Sequence, residues 1–199
     1  MKRLLNLDKL TLICIFRRII VQNIATTCSA PLSDLWYRDF WGWELDSEGS
    51  HQSWRPVTSF TYKIEHCFLG TNGLALRHLF NLMLHLSISI SFYRFSFEIL
   101  KTENARLFTS MLFSIHPIQT EAVVALYGRA ELLSVIFMVT GLKCWSKNRL
   151  DFAIIAGILA LLSKETSIVI FGIYAIYSLL LMHTGQNIYQ QFRNSVSVL

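Results

Sequence analysis

From Leu74 to Met182 the chain is one apolar run after another, with only brief polar breaks between them. The runs are Leu74 to Leu100, Leu107 to His116, Glu121 to Trp145, Phe152 to Ser163 and Thr166 to Met182, and a weaker one lies near Leu10 to Ile20. None supplies the roughly 18 uninterrupted apolar residues that settle a membrane span by themselves, so their succession carries the argument. A helix on the surface of a soluble bundle keeps a polar stripe. FAIIAGILALLS (152–163) and TSIVIFGIYAIYSLLLM (166–182) have none. Apolar side chains make up 53% of the 199 residues, charged ones only 16%, and the prolines are Pro31, Pro56 and Pro117, so the long runs are free to form packed helices. The expected fold is all-α, a polytopic integral membrane helical bundle, with a multi-pass arrangement in which the membrane is the first partner.

Charge placement orients such a bundle. Arg94, Lys101 and Arg106 fall in one break and Lys143, Lys147 and Arg149 in another, whereas HPIQTE (116–121) carries no Lys or Arg. The positive-inside rule makes the first two breaks cytosolic. Alternating helices then bring Pro31 to Asn72, His116 to Glu121 and Ser163 to Thr166 together on the opposite side. The net charge of +5 does not mark a nucleic-acid binder, because its lysines and arginines are scattered between apolar runs rather than gathered in a basic block. No nucleic acid is expected as a partner.

The expected organisation is a divergent N-terminus over 1–30 with a candidate first span, a polar loop over 31–72, membrane helices over 73–183 and a polar tail over 184–199. In the N-terminus Asp8 and Lys9 interrupt the apolar part of MKRLLNLDKLTLICIFRR, which is therefore not a clean signal peptide. The loop sets Asp34, Asp39, Glu44, Asp46 and Glu48 among Trp36, Tyr37, Phe40, Trp41, Trp43 and Trp54. Tryptophan and tyrosine favour the boundary between membrane and water. Glu44, Asp46 and Glu48 read as a solvated acidic face. Asp39 differs, because the rings of RDFWGW would partly desolvate its carboxylate and make it a better proton acceptor. Cys28 and Cys67 both fall in this polar region, where a disulfide and two free thiols are both open. No CxxC pair or Cys/His cluster has metal-ligand spacing, and no metal site is expected.

The run Ile115 to Leu132, IHPIQTEAVVALYGRAEL, sets His116, Glu121, Arg129 and Glu131 between two apolar stretches. Ionisable groups beside hydrocarbon are expensive enough that they usually have partners and a purpose. Structural readings stand next to functional ones. Pro117 disfavours a helical His116, Thr120 could cap the helix that follows, and Glu121 in its first turn would suit the helix dipole. Arg129 and Glu131 could simply pair with other helices.

DFWG (39–42), SWRPVTSFTYKIEH (53–66), RHLFNLMLH (77–85), HPIQTEAV (116–123), GRAELL (128–133) and LLSKET (161–166) follow one another in this order. Together they resemble the membrane half of the transmembrane-and-TPR-containing protein O-mannosyltransferases, from about Asp34 to about Leu181. The resemblance implies a membrane glycosyltransferase fold of the lipid-donor class in the endoplasmic reticulum. It also implies transfer of mannose from dolichyl phosphate mannose to Ser or Thr of secretory-pathway acceptors, with cadherin-type domains among them; the lipid-linked sugar is a substrate, and no cofactor is expected. Such a donor carries an anionic phosphate at the membrane surface, so catalysis calls for cations to hold it and a carboxylate to take the acceptor's proton. Asp39 and Glu121 are the candidate carboxylates. Arg55, His116, Arg129, Glu131 and Lys164 are the candidate substrate-binding residues.

Two departures from the family pattern stand out. Family members carry a luminal acidic pair shortly after the first span, whereas this chain has Phe16, Arg17 and Arg18 there and no Asp or Glu from Thr11 to Ser33. The further spans and tetratricopeptide repeats are not found before Leu199. The expectation is a truncated form whose own activity stays open, the alternative being a non-catalytic membrane binding or regulatory subunit.

Overall fold

The computed structural model describes residues 23–70 and 73–183. The expected first span near Leu10 to Ile20 and the tail over 184–199 lie outside the described residues. Among the described residues every regular element is helical, as expected for an all-α chain. A 3₁₀ turn at Ile24–Thr26, a short α1 (Asp34–Tyr37) and α2 (Pro56–Leu69) precede the long helices. Pro56 at the first position of α2 suits its locked φ, and Gly70 closes the helix at φ 59°. Cys28 and Cys67 form a disulfide, which settles the open choice between bridge and free thiols. The segment before α1 is thereby strapped to α2, and Lys63 Nζ adds hydrogen bonds to the carbonyls of Thr27 (2.7 Å) and Ala30 (2.6 Å).

After this polar region α3 (Leu74–Ser96) runs the length of the molecule and α4 (Glu103–Ile115) returns along it, with Phe92 stacked on Phe113 at 4.7 Å. Pro117 ends α4, since the residue before a proline is pushed out of the helical region and His116 is extended at ψ 131°. Then come α5 (Ile118–Val124), a 3₁₀ turn at Leu126–Gly128 and α6 (Arg129–Ser146). The single apolar run expected from Glu121 to Trp145 is therefore broken: Ala125 is extended, and the two parts meet at 107°. Gly128 makes the corner fit. A Cβ at that position would lie 2.3 Å from the Ala122 carbonyl oxygen, so any other residue would push α5 away.

Helix α7 (Leu150–Ser163) packs back along α6 through small side chains. Ala153, Ala156, Gly157 and Ala160 recur at helical spacing and are buried, which lets the two backbones approach closely. A 3₁₀ turn at Glu165–Ile168 leads into α8 (Val169–His183), where Tyr174 stacks on Trp145 at 4.3 Å and donates to the Ala153 carbonyl at 3.1 Å. Asn81 and Arg77, near the start of α3, meet Ala125 and Arg129, at the start of α6. These two helices are therefore parallel. It follows that the α3–α4 and α6–α7 connections, with their basic residues, lie at the end opposite the corner.

Beside the buried apolar clusters around Phe40, Ile88 and Ile170, several polar side chains are buried and many large apolar ones are exposed. Arg77, Asn81, Arg129, Ser134, Ser163 and Ser167 are buried, while Leu79, Met83, Leu86, Ile90, Phe108, Met111, Ile155, Ile158 and Ile176 are exposed. Even α2 turns Thr58, Tyr62 and Glu65 inward and Phe60, Ile64 and Phe68 outward. Among the described residues no single helix is long and apolar enough to cross a membrane; the bent pair Ile118–Val124 and Leu126–Ser146 meets the requirement by length and composition when taken together.

Candidate functional site

The polar segments converge on the end of the molecule where α3 and α6 begin. Helix α2 crosses this end, Thr58 donating to the Ser163 carbonyl at 2.9 Å and Tyr62 donating to the Leu126 carbonyl. On the rim, Arg55 grips Glu165 with two hydrogen bonds, Nε to Oε2 at 2.8 Å and Nη2 to Oε1 at 2.6 Å. The Arg55 guanidinium holds the Glu165 carboxyl below its ordinary range, against the opposing effect of burial. Its other face lies 5.0 Å from the centre of the Phe40 ring. One residue before Glu165, Lys164 pairs with Glu131. Arg55, Glu131 and Lys164 thus form one alternating row of charges together with Glu165, which the sequence reading did not single out.

Asp39 anchors the loop that carries Phe40. Its Oδ1 accepts from the backbone N–H groups of Trp41 (3.0 Å) and Trp43 (2.8 Å), and its Oδ2 from Ser50 Oγ (3.0 Å) and His51 N (3.2 Å). Four donors fill the four sites of a carboxylate. Asp39 is buried, as its expected desolvation requires, and its donors are the backbone N–H groups of Trp41, Trp43 and His51 and the Ser50 hydroxyl. Gly42 at φ 95° makes the loop's turn, with Asn23 packed under it and donating to the Phe40 carbonyl at 3.0 Å.

His116 lies just before the short helix α5 and Glu121 on it, and both are exposed. The expectation that Thr120 caps this helix is corrected. Helix α5 starts three residues earlier, at Ile118, so Thr120 lies inside it and donates back to the Pro117 carbonyl at 2.6 Å. Pro117 is the N-cap, and His116 before it accepts from Ile118 N through Nδ1 at 3.2 Å. Glu121 lies in the first turn and accepts from the Tyr127 hydroxyl at 3.1 Å. Among the described residues no hydrogen bond or ion pair joins His116 or Glu121 to Asp39, Arg55 or Lys164.

Arg129 sits beneath this surface, fully buried. It meets Glu65 at 2.8 Å, donates to Asn81 Oδ1 at 2.9 Å and to the Arg77 carbonyl at 3.3 Å, and lies over the rings of Tyr62 (4.3 Å) and Phe80 (4.7 Å). Glu65, Arg77 and Asn81 escaped the sequence reading although a signal was present. Arg77, Asn81 and His85 recur every fourth residue among the apolar side chains of the first half of α3, which makes a polar stripe on one face. Among the described residues no group of His, Cys, Asp and Glu could hold a metal ion.

Comparison with known proteins finds relatives of the chain. A protein O-mannosyl-transferase of Caenorhabditis elegans is 38% identical over 152 residues, covering 73% of this chain and 22% of the relative. Protein O-mannosyl-transferase TMTC4 of Mus musculus is 31% identical over 191 residues (82% of this chain, 26% of the relative), and TMTC3 of Homo sapiens is 31% identical over 168 residues (79% and 18%). The chain spans between 18% and 26% of the length of these relatives. No family model and no solved structure matches it.

Proposed function

The chain belongs to the TMTC family of protein O-mannosyl-transferases, and from that membership we propose that its polar end takes part in mannose transfer to protein hydroxyls from a lipid-linked donor. The observation that carries this reading is the combination of an apolar-sided helical body with charged groups collected at one end. A donor with a lipid tail and a phosphate head needs both surfaces, contiguous with each other. In this reading the outward Leu, Ile and Phe side chains lie in the bilayer of the endoplasmic reticulum and α2 lies along its surface with Phe60, Ile64 and Phe68 toward lipid. The polar end faces the lumen, because the basic connections Arg94 to Arg106 and Lys143 to Arg149 occupy the other end.

Within that end the roles divide by exposure. Arg55, Lys164 and His116 are the groups that a donor phosphate can reach. Glu121 is the acceptor's general base, since it is exposed and keeps unoccupied lone pairs, whereas those of Asp39 are all taken by its own loop. The acceptor hydroxyl would be a Ser or Thr of a secretory-pathway domain, cadherin-type domains being the class that the family resemblance suggests. One observation favours a second reading, a non-catalytic binding or regulatory subunit: Arg55 and Lys164 are each already matched by a carboxylate of the same chain.

The two readings separate in one assay. Microsomes bearing the protein, from cells stripped of other family members, are supplied with radiolabelled dolichyl phosphate mannose and a cadherin-domain acceptor. Glu121→Gln is expected to lower transfer by about 100- to 10,000-fold while leaving extracted protein folded, the usual size of a lost general base. Transfer by Glu121→Gln equal to the parent's would exclude Glu121 as the base. Donor binding without transfer by the parent would establish the second reading.

A further inference from the structure

Arg129 is expected from the sequence to touch the donor, yet the groups around it suggest a different task. Breaking a helix at Ala125 costs the corner its α-helical hydrogen bonds, and the carbonyls of Ala125 and Leu126 recover only single 3₁₀-type bonds from the N–H groups of Gly128 and Arg129. At the edge of a membrane such groups must find donors inside the protein. Two other elements supply the further side-chain donors. Asn81 Nδ2 points to the carbonyls of Ala125 (3.2 Å) and Val123 (3.4 Å), and the Tyr62 hydroxyl donates to that of Leu126.

Both donors are set by Arg129. Its Nε–H occupies Asn81 Oδ1 at 2.9 Å, so the amide can turn only its NH₂ toward the corner. Its guanidinium lies over the Tyr62 ring at 4.3 Å and holds that ring beneath Leu126. Burial pushes the Tyr62 phenol well above its ordinary value, which keeps the hydroxyl a donor. Glu65, 2.8 Å away, supplies the charge that lets a guanidinium be buried at all.

We propose that Arg129 is a positioning residue: with Glu65, Asn81 and Tyr62 it latches the bend between α5 and α6 and so sets the orientation of the short helix that carries Glu121. Arg129 acts through the backbone of Val123, Ala125 and Leu126 and makes no contact with the donor. The task for Glu121 rests on the function proposed above, but the latch does not.

The test therefore reads the corner and the chemistry separately. Cys14 and Cys144 are replaced by serine, the Cys28–Cys67 bridge is kept, and Ala125→Cys places a buried thiol at the corner. N-ethylmaleimide should label it slowly in the parent. Tyr62→Phe removes one hydrogen bond and should speed labelling about 3-fold; Arg129→Lys keeps the charge but not the fork and should speed it about 10-fold or more. Arg55→Gln, on the rim, should leave labelling unchanged. Labelling within a factor of two of the parent in both Tyr62→Phe and Arg129→Lys would overturn the latch, and neither substitution removes the whole network, so folding loss does not mask the answer. In the transfer assay Arg129→Lys should lower kcat and leave KM for dolichyl phosphate mannose within about 3-fold. A rise in KM with kcat and labelling unchanged would mean that Arg129 binds the donor after all. Should the parent show no transfer, the proposed function fails while the labelling still decides the latch.

Discussion

Arg129 and Arg55 each meet a glutamate, at 2.8 Å and 2.6 Å, yet the two pairs do different work. Around Arg129 the polar side chains and Tyr62 are buried, and the pair is one part of a network reaching Asn81, Arg77, Tyr62 and the more exposed Phe80. Around Arg55 water reaches the partner, since the Glu165 side chain keeps 52% of its exposure. The same ion pair is therefore structural in one place and exchangeable in the other. Removing one partner of a buried pair leaves a charge without compensation, whereas an exposed charge is resolvated. An exchangeable pair is what a site for an incoming anion needs; a buried one is what a broken helix needs.

Removal of Glu65 should give the largest effect. Glu65→Ala leaves Arg129 and Arg77 facing each other without their carboxylate, and unfolding in detergent should show a loss of about 3–5 kcal/mol. A loss below about 1 kcal/mol would break the comparison. Asp39 sharpens it, being a buried carboxylate held by hydrogen bonds rather than by a cation. Asp39→Ala orphans the N–H groups of Trp41, Trp43 and His51 and should cost about 1–3 kcal/mol, read from the same unfolding curves. The rim should give the least.

Arg55→Ala should cost about 0.2–1 kcal/mol, and salt should erase the difference. Its pH dependence has a definite sign. Arg55 lowers the Glu165 pKa, so the pair's small contribution is present above the ordinary glutamate range and is lost as pH falls through the lowered value. Unfolding curves of parent and Arg55→Ala should converge on acidification. Divergence toward low pH would assign the stabilisation to another group.

Much of the fold was legible because it follows from local pattern. The ends of α3, α4 and α7, and the C-terminal end of α6, lie within a few residues of the apolar runs that announce them. Pro117 marked the end of α4, and the basic connections told which ends share a side. The corner was not legible, since no proline or charged residue interrupts AVVALYG. That bend is held by donors from α2 and α3, far away in the chain. The same holds for Asp39, where nearby rings were visible but the direction of their backbone N–H groups was not.

By itself, then, the sequence determined that this chain is helical, that its polar segments fall in distinct breaks, and, through six ordered motifs, which family it resembles. Those are properties of neighbouring residues and of their spacing. Only the tertiary structure decided that Arg129 is buried while Arg55 and Lys164 lie on the rim, that Cys28 and Cys67 are joined, and that Glu121 rides on a helix turned through 107°. The physical reason is that burial and hydrogen-bond partnership depend on which distant segments meet, and a charge has the same letter whether it is solvated or sealed.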